Sequence, residues 1–333
     1  MKVFISGVAG FLGSHLADTY TRSGDTVVGC DNMIGGDRQN LPEGIEFKEA
    51  DCGDVEAMKP LLDKVDLVYH CGAIATEGLS VFSPTIIAKH VYENTAGLLA
   101  ASVSKRVKRF VYCSSMARYG KGKPPFTEDQ PAVPVDPYGI AKYAGELLVK
   151  NVAETHGMEY VIAVPHNIIG PRQKYDDPYR NVASIMINRM LQGKQPIIYG
   201  DGEQRRSFSF VQDCVDPLLK MGTQPGLSGE TINIGPDEES TTINELAQIL
   251  ADLLSFKLQP IYVKDRPQEV KNATCSADKA RKLLAYETKV PLRDGLISMI
   301  EWIRSHGPKP FEYHLPIEID SPLVPATWRE RLI

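Results

Sequence analysis

Six short runs of β-branched and aromatic residues recur through the first half of the chain: KVFIS (2–6), TVVGCD (26–31), IEFKEAD (45–51), DLVYHCG (66–72), RFVYCSS (109–115) and EYVIAVPHN (159–167). Turn residues bound them and longer helix-forming stretches separate several, which is the signature of βαβ units. The pattern predicts an α/β fold built on a doubly wound parallel sheet. The runs are almost continuously apolar, as strands covered on both faces must be. Beyond residue 170 the rhythm becomes irregular: GPRQKYDDPYRN reads as a polar loop, and helices are expected around 178–192, 242–254 and 292–305. The chain therefore divides into a main domain over 1–170, a smaller C-terminal lobe over 171–306 lying across the strand ends, and a tail over 307–333. GETINIG (229–235) reads as a strand that can rejoin the main sheet.

Composition narrows the function classes. A net charge of −5 and a pI near 5.9 argue against nucleic acid or a membrane surface as the main partner, because an acidic protein attracts neither. A small anionic ligand needs local arginines instead. Cys30, Cys52, Cys71, Cys113, Cys214 and Cys275 are scattered singly, with no Cys-x-x-Cys, so neither a metal site nor a disulfide framework is signalled. They read as reduced thiols in a cytoplasm. MKVFISGVAG enters a strand at once, and no apolar run approaches membrane length. The basic cluster SKRVKRF (104–110) falls where a helix should end, where cations oppose the helix dipole. The tail carries five prolines and several large apolar residues, and is expected to dock along the protein's own surface or at a subunit contact.

Candidate chemistry begins at the first turn. KVFIS runs into GVAGFLG, with Gly7, Gly10 and Gly13 spaced by three. Glycines at a strand-to-helix turn let backbone amides approach a pyrophosphate, which the helix N-terminus stabilises. Asp31 follows 18 residues beyond Gly13 at the end of the second strand, where a carboxylate can accept from a ribose 2′-hydroxyl and repel a 2′-phosphate. The pair predicts NAD rather than NADP; Arg38 downstream is the one cation that could hold a phosphate.

The second feature is PVDPYGIAKYAGE (134–146). Pro137 opens a helix, which stacks Tyr138 and Lys142 on one face at i and i+4. A cation beside a phenol eases loss of its proton, producing a base if an electron acceptor is near. Tyr119 and Lys123 share the spacing, but the glycines and prolines of YGKGKPP rule out a helix there.

With these residues in order, the chain resembles the extended short-chain dehydrogenase/reductases that act on nucleotide sugars. The resemblance spans about residues 1–306 and rests on GVAGFLG (7–13), DN and the following GGDRQNL (31–41), VYHCGA (68–73), FVYCSSMARYG (110–120), PYGIAK (137–142), HNIIGPRQ (166–173), GDGEQRRSFSFVQD (200–213), NIGPDE (233–238) and RPQE (266–269). It implies a Rossmann-like fold with tightly bound NAD, a nucleotide-sugar substrate and a homodimer built on two long helices per subunit. Carried over, it makes Tyr138 the base, Lys142 its cationic partner and Ser115 the hydroxyl that meets the sugar oxygen. Phe11, Leu12, Asn32, Asp51, Cys52, Ala73 and Asn94 fall on positions that line the cofactor, beside the three glycines and Asp31. Met116, Asn167, Asn181, Arg206 and Arg266 fall on substrate positions, where arginine forks suit phosphate oxygens.

Within that family the outcome depends on further groups. The 4,6-dehydratases and decarboxylases carry an acid just after the catalytic hydroxyl, and GDP-mannose 3,5-epimerases a cysteine; this chain has Met116 and Ala117 there. Cys113, four residues before Ala117 on the strand, is not expected to substitute. The remaining expectation is a 4-epimerase similar to UDP-glucose and UDP-glucuronate 4-epimerases, which oxidises C4 and returns the hydride to the opposite face. A 4-reductase or 4-dehydrogenase would use the same residues. A GDP-sugar 3,5-epimerase, a 4,6-dehydratase and a non-catalytic NAD-binding regulator are the further alternatives. His166 is a candidate partner for a sugar carboxylate or hydroxyl, with a structural role as the blander reading. Ala273 falls near a position that gates substrate size.

Overall fold

The computed structural model describes all residues from Met1 to Ile333. At its centre β1 (Lys2–Ser6), β2 (Thr26–Asp31), β3 (Glu46–Glu49), β4 (Leu67–His70), β5 (Arg109–Cys113), β6 (Glu159–Pro165) and β7 (Thr231–Ile234) form one sheet, in the spatial order β3-β2-β1-β4-β5-β6-β7. All neighbours are parallel, so every connection is a crossover. β4 and β5 are buried throughout, as their apolar runs predict, whereas β3 at the edge is largely exposed.

Two helical layers cover the sheet. On one face α2 (Val55–Leu61), α3 (Asn94–Ser104) and α4 (Pro137–His156) contribute Met58, Leu98 and Val149 to a core shared with Phe4, Phe110 and Ile162. On the other, α1 (Phe11–Arg22) supplies Leu16 and Ala17. A further helix over 178–192 is present as α5 (Val182–Leu191), and α6 (Val211–Thr223) packs beside α1 through Cys214, Val215 and Leu218. The strand read from GETINIG does rejoin the sheet: Ile232 pairs with Ala163 on β6. Residues 171–306 thus supply both part of the main sheet layer and a separate core, where Met186 of α5 meets Leu246 and Leu250 of α7 (Ile243–Leu254) and Leu296 and Ile300 of α8 (Leu292–His306).

The direction of winding reverses between β1 and β4. Loops leaving these strands part in opposite directions, and open a crevice at their carboxyl ends. The tail crosses this region along the protein's own surface. Leu315, Val324, Trp328 and Ile333 are buried, and Glu318 accepts from the Thr85 and Ile86 amides at 2.9 and 3.1 Å.

Candidate active site

The crevice is a cavity of about 440 Å³. At its floor the β1–α1 turn is held open by glycine geometry. Gly7 has φ +70°, and a Cβ there would lie 2.7 Å from the Gly72 Cα; one at Gly13 would run into the Gly7 carbonyl oxygen. Gly10 caps α1 with no side-chain hydrogen bond, which leaves the first amides of the helix turned to the cleft. This bare, uncapped N-terminus fits a pyrophosphate. Asp31 at the end of β2 accepts from the Ala9 amide at 3.2 Å and the Met33 amide at 2.9 Å, which fixes its carboxylate at the mouth of the turn. Arg38 points away from the cleft, pairing with Glu49 and lying over Phe47, so it is not placed to receive a 2′-phosphate. Phe11, Leu12, Asn32, Asp51, Cys52, Ala73 and Asn94 all line the same wall.

At the centre, Asp136 caps α4 by accepting from the Gly139 amide at 2.8 Å, and Pro137 occupies the first turn. Tyr138 follows, 6% exposed, with the Ser115 hydroxyl near enough to ease its pKa downward. Lys142 lies one turn on, its Nζ 5.9 Å from the Tyr138 ring centroid and donating to the Cys113 carbonyl at 2.8 Å. The triad is therefore assembled, but the electrostatics reverse one expectation. Burial, and then the charge of Glu77, push the Tyr138 phenol well above its ordinary value. Lys142, directed at a backbone carbonyl and itself lowered by burial, does not offset them. A phenolate here needs a further positive charge. The other Tyr-x-x-x-Lys pair is split, as its sequence predicts: Tyr119 faces the core, donating to Asn233 at 2.7 Å, and Lys123 is exposed.

The far end is polar. Arg206 and Arg266 reach the cleft from different segments and share Glu269, at 3.7 and 3.0 Å. The Arg266 guanidinium also lies 4.7 Å over the Tyr199 ring. Asn167 donates to the Ser207 carbonyl at 3.0 Å, Asn181 caps α5, and Met116 completes the wall. His166 and Ala273 are not among the lining residues. His166 is fully buried and held neutral, its pKa lowered to about 3 by burial, which leaves it the structural role. Ala273 is buried in the core beside the strand that carries Arg206 and does not line the cleft. Cys113 does reach the cleft, with its thiol 3.7 Å from that of Cys71.

Three contributors escaped sequence reasoning. Glu77 opens a short helix, Glu77–Ser80, in the loop after β4 and projects into the open cavity, where desolvation by the surrounding walls and then the charge of Asp136 push its carboxyl up to about 7. Arg180, from the polar loop before α5, bonds Asp177 at 3.0 Å and turns its other end toward Gly35, beside the Asp31 turn. The tail forms a third wall: Trp328 packs edge-on to Tyr179 at 5.3 Å, Tyr199 bonds Thr327 at 2.6 Å, and Ile333 lines the cleft. No local pattern marks these residues, because each enters the site from a loop.

Comparison with known proteins agrees with this geometry. A UDP-glucose 4-epimerase from Thermotoga maritima, solved with UDP-glucose, superposes with a TM-score of 0.86 at 33% identity, covering 92% of this chain and 99% of its own. The UDP-glucuronic acid 4-epimerase of Bacillus cereus, solved with UDP-glucuronic acid and NAD, gives 0.86 at 29%, covering 92% and 100%. UDP-glucuronic acid decarboxylase 3 of Arabidopsis thaliana is 32% identical over 91% of this chain and 89% of its own. Residues 3–235 match the NAD dependent epimerase/dehydratase family, and the chain belongs to that family of enzymes, with NAD as its cofactor.

Proposed function

We propose that the protein is a nucleotide-sugar 4-epimerase acting on a UDP-hexose or UDP-hexuronate. The observation that carries this reading is the meeting of Ser115, Tyr138 and Lys142 between the glycine cradle and the Arg206–Arg266 pair, with neither acid nor thiol at Met116 and Ala117. NAD, when bound, supplies the hydride acceptor and donor, and its oxidised ring carries the positive charge that Tyr138 lacks. Gly7, Gly10, Gly13 and the free end of α1 would hold its pyrophosphate, and Asp31 its ribose. Tyr138 takes the proton of the C4 hydroxyl and later returns it. Ser115 orients that oxygen, while Arg206 and Arg266 hold the diphosphate. Residues 1–170 then serve mainly the cofactor and 171–306 mainly the sugar nucleotide.

Two copies are expected to pair through α4 and the helical stretch before α3, where Ile140, Leu147 and Tyr92 are 53, 52 and 41% exposed. The six free thiols accord with a cytoplasmic enzyme.

The test is NMR of purified protein with UDP-sugars and no added cofactor. A C4 epimer of unchanged mass supports the reading; turnover only on adding NAD(H) points to a 4-reductase or 4-dehydrogenase instead. Glu77 favours one second reading, because a carboxylate near a C4 ketone can remove the proton from a neighbouring carbon, the first step of elimination or 3,5-epimerisation. Solvent deuterium entering C3 or C5, or loss of water, would show it.

A further inference from the structure

Two thiols meet in the cleft. Cys71 directly follows β4 and Cys113 is the last residue of β5. These strands run parallel with His70 opposite Tyr112 as the final pair in register, so Cys71 and Cys113 are the next pair along. Neighbouring strands stand about 4.8 Å apart, inside the range of about 4.4–6.8 Å that a disulfide spans between Cα atoms. The side chains are already in contact, with the two sulfurs 3.7 Å apart. Both residues line the cleft, Cys71 partly exposed and Cys113 5% exposed. None of the other four thiols bonds to a second sulfur.

The surroundings also distinguish this pair. The thiolate is the form that reacts with oxidants. The Cys71 thiol donates to the Cys113 sulfur, and the Lys142 ammonium is anchored beside it on the Cys113 carbonyl at 2.8 Å; the two hold the Cys113 thiol below its ordinary value against burial. Cys30 and Cys52 also line the cleft, but burial pushes them up, Cys52 to about 12. A lowered thiol on a cleft with a second thiol in contact is the arrangement that oxidant-sensing cysteines share.

The geometry points to Cys71 and Cys113 as a thiol–disulfide modification site, where a small peroxide closes a reversible bridge that disables the active site. The Cys113 thiolate attacks one oxygen of hydrogen peroxide and the O–O bond breaks. Hydroxide leaves, takes up the proton the thiol gave, and Cys113 becomes a sulfenic acid. The Cys71 sulfur then attacks the Cys113 sulfur, the S–O bond breaks, and a second water leaves with the Cys71 proton. The thiols lose two electrons and two protons, and the peroxide gains them as two waters. Closure draws the sulfurs from 3.7 Å to about 2 Å. Both ends belong to the site: Cys113 anchors Lys142 and precedes Ser114 and Ser115, while Cys71 leads into Gly72, packed against Gly7 of the cofactor turn. A misplacement of about 1 Å in such groups costs on the order of 10²-fold in rate.

The experiment treats the purified full-length protein with hydrogen peroxide, blocks remaining thiols with iodoacetamide and digests with trypsin. Cys71 and Cys113 fall on separate peptides, 65–89 and 110–118, each with one cysteine. The two should appear joined, at their summed mass less two hydrogens, and dithiothreitol should part them. Turnover of UDP-glucose should fall about tenfold or more and return with dithiothreitol. Cys113→Ala should keep its own untreated rate under peroxide, and Cys71→Ala should leave a sulfenic acid on 110–118 that dimedone traps. Peptides that emerge singly and alkylated, a bridge to another cysteine, or a bridge that leaves turnover unchanged overturns the inference. A loss that dithiothreitol does not reverse, as sulfoxide at Met116 would give, overturns it too. The turnover arm rests on the 4-epimerase reading; if no UDP-sugar is converted, that reading fails separately and the joined peptides still decide the site.

Discussion

Replacing Trp328 by Ala should release the tail from the cleft without unfolding the sheet. The indole is 2% exposed and packs against Tyr179, Phe82 and Tyr199 at ring separations of 5.3, 6.3 and 6.4 Å. Burying an indole removes roughly 200 Å² from water, worth about 5 kcal/mol at ~25 cal/mol/Å², and about 3–4 after allowing for a partly compact reference state. The indole Nε1 has no hydrogen-bond partner, so the alanine variant also sheds a penalty of about 1 kcal/mol. The net loss of about 2–3 kcal/mol falls on tail docking and lowers its equilibrium constant roughly 30- to 150-fold. Limited chymotrypsin digestion read by mass spectrometry measures this directly: cuts within 307–325 should accelerate by that factor while residues 1–306 persist. Trp328→Phe keeps much of the ring packing and removes the orphan N–H, so it should digest at close to the wild-type rate. A Trp328→Ala protein cut no faster than wild type would refute the argument that this side chain holds the wall in place.

The other predictions can be checked on the same preparations. Tyr138→Phe should lower kcat by about 10³ through loss of the proton-transferring hydroxyl, with bound NAD and melting temperature unchanged; retained turnover would remove Tyr138 from the chemistry. Glu77→Gln should alter the pH dependence of stability: the unfolded chain ionises Glu77 near 4.5 and the folded one only near 7, so the folded state binds more protons within that window. Wild-type stability should then fall relative to the variant as pH rises from about 4.5 to 7, so a gap in melting temperature, small at pH 4.5, should widen to pH 8. Leu147→Glu, which puts a charge on the apolar face of α4, should convert a dimer to monomers in light scattering, and an unchanged mass would place the interface elsewhere.

The parts of the site that could be read in advance are those whose chemistry is local. Gly7, Gly10 and Gly13 form a cradle because the turn conformation and the crowding against the Gly7 carbonyl act within a few residues. Tyr138 and Lys142 share a face because one helical turn separates them, and Pro137 with the Asp136 cap starts that helix at the right residue. What spacing could not supply is the balance of forces on the pair. Burial and Glu77, more than sixty positions away in sequence, raise the phenol that Lys142 alone was expected to lower.

The sequence by itself determined the parallel sheet, the cofactor turn and the shared face of Tyr138 and Lys142, because apolar periodicity and turn chemistry are properties of neighbouring residues, whereas Ser115 and the two arginines were expected only from the family resemblance. It also left the strand at 229–235 free to rejoin the sheet, as β7 does. Only the tertiary structure decided what encloses the cleft. Glu77, Arg180 and residues 307–333 arrive from separate loops and from the far end of the chain. Their meeting is set by which surfaces remain to be covered once the sheet has formed, with Trp328 settling against Tyr179 and Phe82. That long-range packing closes the cleft with side chains that no local pattern brings together.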